Sequence, residues 1–209
     1  SMAHDGLIIT LGQLQKEPDA LLYSMPEWTL MTEKVRDNLE TYHHQFPLRN
    51  GTPKEELRSK LRMKLSIFNR VFPRLKNDGV LLEEKAQVRL PQHHPRLSKI
   101  QEKEVDSYMG LLDIDPYSPS TSLSIDQEIL NFLADQGKIV KVSETVVFSA
   151  TAYQEMVDKI VLYIKDHQEI TVANVRDLFG TSRKYAMALM NHLDQEKITR
   201  RVGDARILR

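Results

Sequence analysis

Three stretches of the chain share one alternation of apolar and polar positions at nearly constant spacing. Leu75-Lys76-Asn77-Asp78-Gly79 leads into Val80-Leu81-Leu82 and then Val88-Arg89-Leu90. Leu133-Ala134-Asp135-Gln136-Gly137 leads into Ile139-Val140-Lys141-Val142 and Thr145-Val146-Val147-Phe148. Leu193-Asp194-Gln195-Glu196-Lys197 leads into Ile198-Thr199-Arg200-Arg201-Val202 and Ala205-Arg206-Ile207-Leu208. The leading leucines are 58 and 60 residues apart, and each stretch reads as a helix end, a strand, a turn and a strand. The turn falls ten residues beyond each leucine, at Lys85, at Ser143 and at Gly203-Asp204; Gly-Asp suits a hairpin that needs positive φ.

Helices are predicted before each hairpin. Thr52-Pro53-Lys54-Glu55 has the form of a capping box with proline at the first helical position, and Ser98-Lys99-Ile100-Gln101 and Ser124-Ile125-Asp126-Gln127 repeat the box without proline. In the last repeat the pattern predicts helices over Thr151–His167, over Thr171 or Val172 to Phe179, and over Thr181–Glu196, with Gly180 as the turn between the last two. Ala186, Leu189, Met190 and Leu193 keep the i, i+3, i+4, i+7 spacing of a core-facing stripe. Three helices closed by a two-stranded hairpin within about 60 residues is the winged form of the helix-turn-helix. The predicted fold is therefore mainly α with small β-hairpins (α+β), in tandem winged-helix domains over 28–95, 96–150 and 151–209. Leu7–Thr10 and Ala20–Tyr23 read as two strands around a turn at Lys16-Glu17-Pro18-Asp19, making 1–27 the leftover wing of a preceding repeat. Pro73 falls inside the third helix of the first repeat and predicts a kink or a late start there.

Composition sets the class. The 209 residues are 41% hydrophobic and 28% charged, enough to build cores and too apolar for wholesale disorder. No apolar run approaches the roughly 18 to 20 residues of a membrane span, and the first residues lack the layout of a signal peptide, so a cytoplasmic protein is expected. Ser1-Met2 has the form of a tag-cleavage scar. Zero cysteines exclude disulfides, thiolate zinc sites and a cysteine nucleophile. The net charge of zero hides a segregation: Pro53–Lys76 sums to +6, Leu97–Gly137 to −6 and Ile170–Arg209 to +4, a pattern suited to selective contact at either end.

No catalytic constellation stands out: the phosphate loop, G-x-G-x-x-G, H-E-x-x-H and G-x-S-x-G are all absent. The adjacent pairs His43-His44 and His93-His94 lack the i, i+4 spacing of a metal clamp and read as surface histidines. Asp113-Ile114-Asp115 opens like a calcium loop, but Ser118 and Ser124 stand where glycine and glutamate belong. The sharpest candidate is Gly180-Thr181-Ser182-Arg183-Lys184-Tyr185 with the hairpin 199–206. There Thr181 and Ser182 would cap a helix whose first amides, beside Arg183 and Lys184, favour a phosphate, and Arg200, Arg201 and Arg206 add charge that pairs bidentately with phosphate or a guanine edge. A solvated basic face explains the same residues equally well. Tyr185 reads as a core or rim residue before a base-stacking one. The stretch Lys54–Lys76 reads as a solvated amphipathic helix able to meet RNA phosphates, and the acidic middle repeat as a spacer or interaction surface.

Ile170-Thr171-Val172-Ala173-Asn174-Val175-Arg176-Asp177-Leu178-Phe179-Gly180-Thr181-Ser182-Arg183-Lys184-Tyr185-Ala186, followed by Ile198–Arg209, resembles the end of the bacterial selenocysteine-specific elongation factor family, SelB. Tyr42-His43-His44-Gln45-Phe46-Pro47-Leu48-Arg49-Asn50-Gly51-Thr52-Pro53-Lys54-Glu55-Glu56-Leu57-Arg58-Ser59 is similar to that family's second winged-helix domain. The resemblance spans roughly Trp28–Arg209, strongest at its two ends. It implies a C-terminal RNA-binding fragment whose last domain holds a messenger RNA hairpin beside an in-frame UGA. An N-terminal GTPase in the full-length family protein, with GTP and Mg, carries selenocysteinyl-tRNA to the ribosome. It implies RNA contacts at Thr181, Ser182, Arg183, Lys184, Arg200, Arg201 and Arg206, with Gly203 and Asp204 shaping the wing tip. For this stretch it implies no catalytic residue, no metal and no cofactor, and a monomer away from membranes. A DNA-binding tandem winged-helix regulator and a protein-interaction scaffold are the competing readings, since the fold alone does not choose the partner.

Overall fold

The computed structural model of the chain describes residues 8–11, 21–120 and 124–209; the expected turn at Lys16–Asp19 lies outside them. Two compact units divide the chain, Ser1–Arg96 and Leu97–Arg209.

In the first unit, β1 (Ile8–Leu11) pairs antiparallel with β2 (Leu21–Ser24), Ile9 opposite Tyr23. Ser24 ends β2 and caps α1 (Met25–Gln45) in a capping box with Glu27. Ile9 lies in one core with Trp28, Val35, Leu39, Phe68, Phe72, Leu75 and Val88. The hairpin near residue 20 therefore forms as expected, but it is built into the first domain instead of standing apart as a remnant. β3 (Thr52–Pro53), α2 (Lys54–Lys60), α3 (Leu65–Asn77), β4 (Leu82–Glu84) and β5 (Gln87–Arg89) complete the unit, with strand order β3-β5-β4.

Two local expectations change here. Thr52 does not cap a helix: it is a strand residue opposite Val88, buried, with its hydroxyl unpartnered, and Pro53 takes the N-cap position without a side-chain bond. The register with β5 decides this, and no local spacing reveals it. The basic stretch is two helices and not one, broken at Arg62, whose φ is 54°. Pro73 is tolerated inside α3, which starts at Leu65 and continues to Asn77.

The second unit opens with α4 (Lys99–Ile114), capped by the expected Ser98 and Gln101 box. α5 (Gln127–Asp135) starts later than the Ser124 box predicts, because the Asp126 carboxylate accepts from the Glu128 and Ile129 amides and takes the N-cap itself. β6 (Ile139–Lys141) and β7 (Val147–Ser149) form a hairpin, and Ser149 at its end caps α6 (Ala150–His167). β8 (Ile170–Thr171), α7 (Val172–Phe179), α8 (Arg183–Gln195), β9 (Thr199–Val202) and β10 (Ala205–Leu208) follow, with strand order β8-β10-β9. The chain thus carries two tandem winged-helix domains in an α+β fold, each with a three-stranded sheet where two strands were expected. β3 and β8 are two residues long, too short to show a period.

The segment 96–150, expected as a separate winged-helix domain, shows two helices and a hairpin among the described residues. Its Val142, Val146 and Phe148 belong to the same core as Ile160, Val175, Leu189 and Leu193. With β7 running straight into α6, no linker exists to give the segment a core apart from the last domain. Its place in the repeat is nevertheless visible in the backbone. Leu75, Leu133 and Leu193 are all fully buried. The amides of Val80, Lys138 and Ile198 donate to their carbonyls at 2.9, 2.9 and 3.0 Å. Between them, Gly79, Gly137 and Lys197 adopt φ of 67°, 66° and 61°, the left-handed helix ending in which the sixth residue bonds back to the first.

Candidate nucleic-acid interface

The helix-turn-helix of the last domain is set residue by residue. Thr171 and Asn174 form a capping box that starts α7, and Gly180, at φ 60°, ends it in the left-handed region that glycine enters without strain. Ser182 takes the N-cap of α8 without making a side-chain cap bond. The amides of the first turn lack intrahelical partners, so this end of α8 presents donors and a positive dipole beside the exposed side chains of Arg183 and Lys184.

The wing lies next in the chain. Val202 pairs with Ala205 across a two-residue turn of Gly203, at φ 59°, and Asp204. Arg200, Arg201, Gly203 and Asp204 are exposed. Arg201 curls over the turn, its Nε donating to the Gly203 carbonyl at 2.9 Å, with Asp204 3.9 Å from its guanidinium. Asp204 is acidic and fully exposed, so it would repel a phosphate at the tip and leave Arg200, Arg201, Arg183 and Lys184 as the cationic set.

Two of the expected contacts are turned inward. Arg206 is 3% exposed; its Nε donates to Asp194 Oδ2 at 3.1 Å and its terminal nitrogen to Asn191 Oδ1 at 3.1 Å, while Thr199 Oγ1 donates to the other Asp194 oxygen at 2.6 Å. The physical reason is α8: its last turn brings a carboxylate over the strand pair, and a strand guanidinium satisfies it. Thr181 is 6% exposed, and its hydroxyl donates to the Tyr117 carbonyl at 2.8 Å instead of capping α8. Arg206 and Thr181 hold the site together and present nothing to a partner. Tyr185 is half-buried against the core, and burial followed by the charge of Asp115 pushes its hydroxyl pKa up.

The partners of these inward residues were invisible to sequence reasoning. Asp194 lies twelve residues before Arg206, and Tyr117 lies 64 before Thr181. Strand alternation pointed the other way: with Ala205 inward, Arg206 falls on the opposite face of the strand, and it is buried there only because Asp194 and Asn191 of α8 take its guanidinium.

In the first unit, Glu40, His43, His44, Leu90, His93 and His94 line a cleft of about 480 Å³. His43 departs from the expected surface histidine. It is 8% exposed, its ring stacks on His93 at 3.6 Å, and its Nε2 accepts from the Leu90 amide at 3.2 Å. Burial first, and then the nearby charges of His93, Arg89 and His44, lower its pKa from 6.5 to about 4. Among the described residues no group of three His, Asp or Glu side chains is placed to hold a metal ion.

Comparison with known proteins places these domains. Residues 36–90 match the family model for the second winged-helix domain of elongation factor SelB, and residues 162–208 match that for the third. A selenocysteine-specific elongation factor from Desulfomicrobium baculatum is 28% identical over 188 residues, which is 82% of this chain and 29% of that protein. One from Haemophilus influenzae is 24% identical over 226 aligned residues, 96% of this chain and 36% of that protein. The chain therefore spans less than two fifths of the length of these relatives. The mRNA-binding domain of elongation factor SelB from E. coli, solved in complex with SECIS RNA, superposes with a TM-score of 0.45 at 22% identity, covering 54% of this chain and 99% of that one.

Proposed function

We propose, for a chain that carries two winged-helix domains of the SelB elongation-factor family, that its last domain binds a hairpin in messenger RNA beside an in-frame UGA codon. The observation that carries this reading is the exposed cationic set Arg183, Lys184, Arg200 and Arg201 around an α8 start whose amides have no side-chain cap. The set grips the hairpin backbone, and the helix start and wing reach unpaired bases in or near the loop. Sequence is accessible there, because the A-form major groove is too deep and narrow for side chains.

In the full-length protein this stretch serves as a tether. It contributes binding and no chemistry, while a GTPase portion with GTP and Mg carries selenocysteinyl-tRNA and the ribosome supplies the decoding site. The tether acts as a monomer in the cytoplasm. No described helix is long and apolar enough to cross a membrane.

The test is a titration of this chain with a labelled hairpin from beside an in-frame UGA at ~0.15 M salt, where exposed charges are screened beyond ~8 Å. A scrambled-loop hairpin and duplex DNA are the competitors. Tight, loop-dependent binding is expected; equal weak binding to all three overturns the reading.

A further inference from the structure

Both neighbours of the exposed Ser182-Arg183-Lys184 run are tied to one short strap, Tyr117–Pro119, in the loop between α4 and α5. On one side Thr181 Oγ1 donates to the Tyr117 carbonyl at 2.8 Å, and Ser118 Oγ lies 2.8 Å from the same oxygen. A threonine hydroxyl has one proton, and Tyr117 takes it, so Ser118 is the donor in the second bond. On the other side Tyr185 donates to the Pro119 carbonyl at 2.6 Å. The Tyr117 ring packs 5.2 Å from Phe179, the last residue of α7, with Lys159 5.7 Å from its centroid. Thr181, Pro119 and Phe179 are buried.

The strap thus touches the end of α7, the turn and the first turn of α8, and leaves out only the residues that face solvent. We propose that Tyr117–Pro119 is a specificity-determining element, with Ser118, Thr181 and Tyr185 as positioning residues that hold the start of α8 in the conformation that reads the RNA loop. The proposal rests on the RNA-binding reading above. A turn fixed before binding has no ordering entropy left to lose, and it presents its amides at one angle. A loosened turn keeps its charge and hence its general attraction for phosphate, but loses its preference among loops. In this view the acidic segment 97–150 serves the interface without touching RNA.

The test uses the whole chain. Thr181→Val with Tyr185→Phe removes the hydroxyls and keeps the packing shapes; Tyr185→Phe alone is the milder variant should the pair fail to fold. The double variant loses three hydrogen bonds, Thr181 to Tyr117, Ser118 to Thr181 and Tyr185 to Pro119, and should bind the hairpin beside the UGA about thirtyfold more weakly. Its affinity for the scrambled-loop hairpin and its salt dependence should stay at wild-type values. Tyr185→Phe alone should lose about threefold on the same loop, and Thr181→Ser, which restores the Oγ, should bind as the wild type does. A general loss of fold would lower both affinities together. Wild-type discrimination in the double variant, or in Tyr185→Phe if the double does not fold, overturns the proposal and leaves the RNA reading standing. Failure of the wild-type chain itself to prefer the hairpin overturns both, before any variant is made.

Discussion

Arg206 donates its Nε to Asp194 at 3.1 Å, with the guanidinium side chain 4% exposed and the carboxylate 25% exposed. This ion pair joins the strand after the wing turn to the last turn of α8, and a positive charge that sequence places on the RNA surface is spent inside the domain.

Arg206→Ala should therefore act on stability. Removing it leaves Asp194 and Asn191 short of their donor, at a cost of roughly 1.5 to 3 kcal/mol for hydrogen bonds to a charged group, read as a lower midpoint in urea denaturation. Arg201→Ala should leave that midpoint unchanged and weaken hairpin binding by about 1 to 3 kcal/mol. If Arg206→Ala weakens binding at unaltered stability, Arg206 belongs to the interface after all.

Salt dependence separates the same residues in another way. Each phosphate contact contributes about 0.7 to 0.9 to the slope of log K against log salt concentration. Alanine at Arg183, Lys184, Arg200 or Arg201 should flatten the slope by about that much, while Arg206→Ala should not move it.

His43 gives the first domain an acid sensitivity. Its pKa is depressed in the folded chain, to about 4 from 6.5, so the unfolded chain takes up the proton first as pH falls. The stability contributed by the neutral ring is intact above about pH 6.5 and is lost as the pH drops toward 4. Urea midpoints across that window should fall in the wild type and fall less in His43→Gln. Equal slopes for the two would show that another group titrates.

Lys197 occupies the left-handed position that Gly79 and Gly137 fill in the other repeats, at φ 61°. A side chain there costs about 1 to 2 kcal/mol, partly offset by the entropy that glycine loses on folding. Lys197→Gly should raise stability by up to about 1 kcal/mol, measured as an upward shift in Tm. A lower Tm would mean that the lysine stem contributes more than its backbone strain removes.

The repeat was legible because its signals are local. Leu75, Leu133 and Leu193 lie in the last turn of a helix in all three places, and the turns at Lys85, Ser143 and Gly203 fall where the spacing puts them. Lys85 and Ala86 both adopt positive φ without a glycine, so position in the repeat reveals that turn better than composition does. What misled was nonlocal. Thr52 spells a capping box, yet its pairing with Val88 makes it a strand; Thr181 spells an N-cap, yet the N-cap position falls on Ser182 and the Thr181 hydroxyl bonds Tyr117 and Ser118. The basic patch was readable as a cluster, but which arginines reach solvent depends on where Asp194 comes to rest. Segment 96–150 reads as a domain by its pattern, while its Phe148 packs into the next core, 6.3 Å from the Tyr185 ring.

The stack of His43 on His93 joins positions 50 residues apart, as does the hydrogen bond from the Trp28 indole to Asp78. During synthesis at about 5 to 20 residues per second, α1 therefore emerges roughly 3 to 10 s before the residues that close over it. In that interval Val35 and Leu39, later fully buried, have no core to enter. The nascent first domain is open to chaperone capture until the strand carrying Val88 and the segment through His93 have left the ribosome.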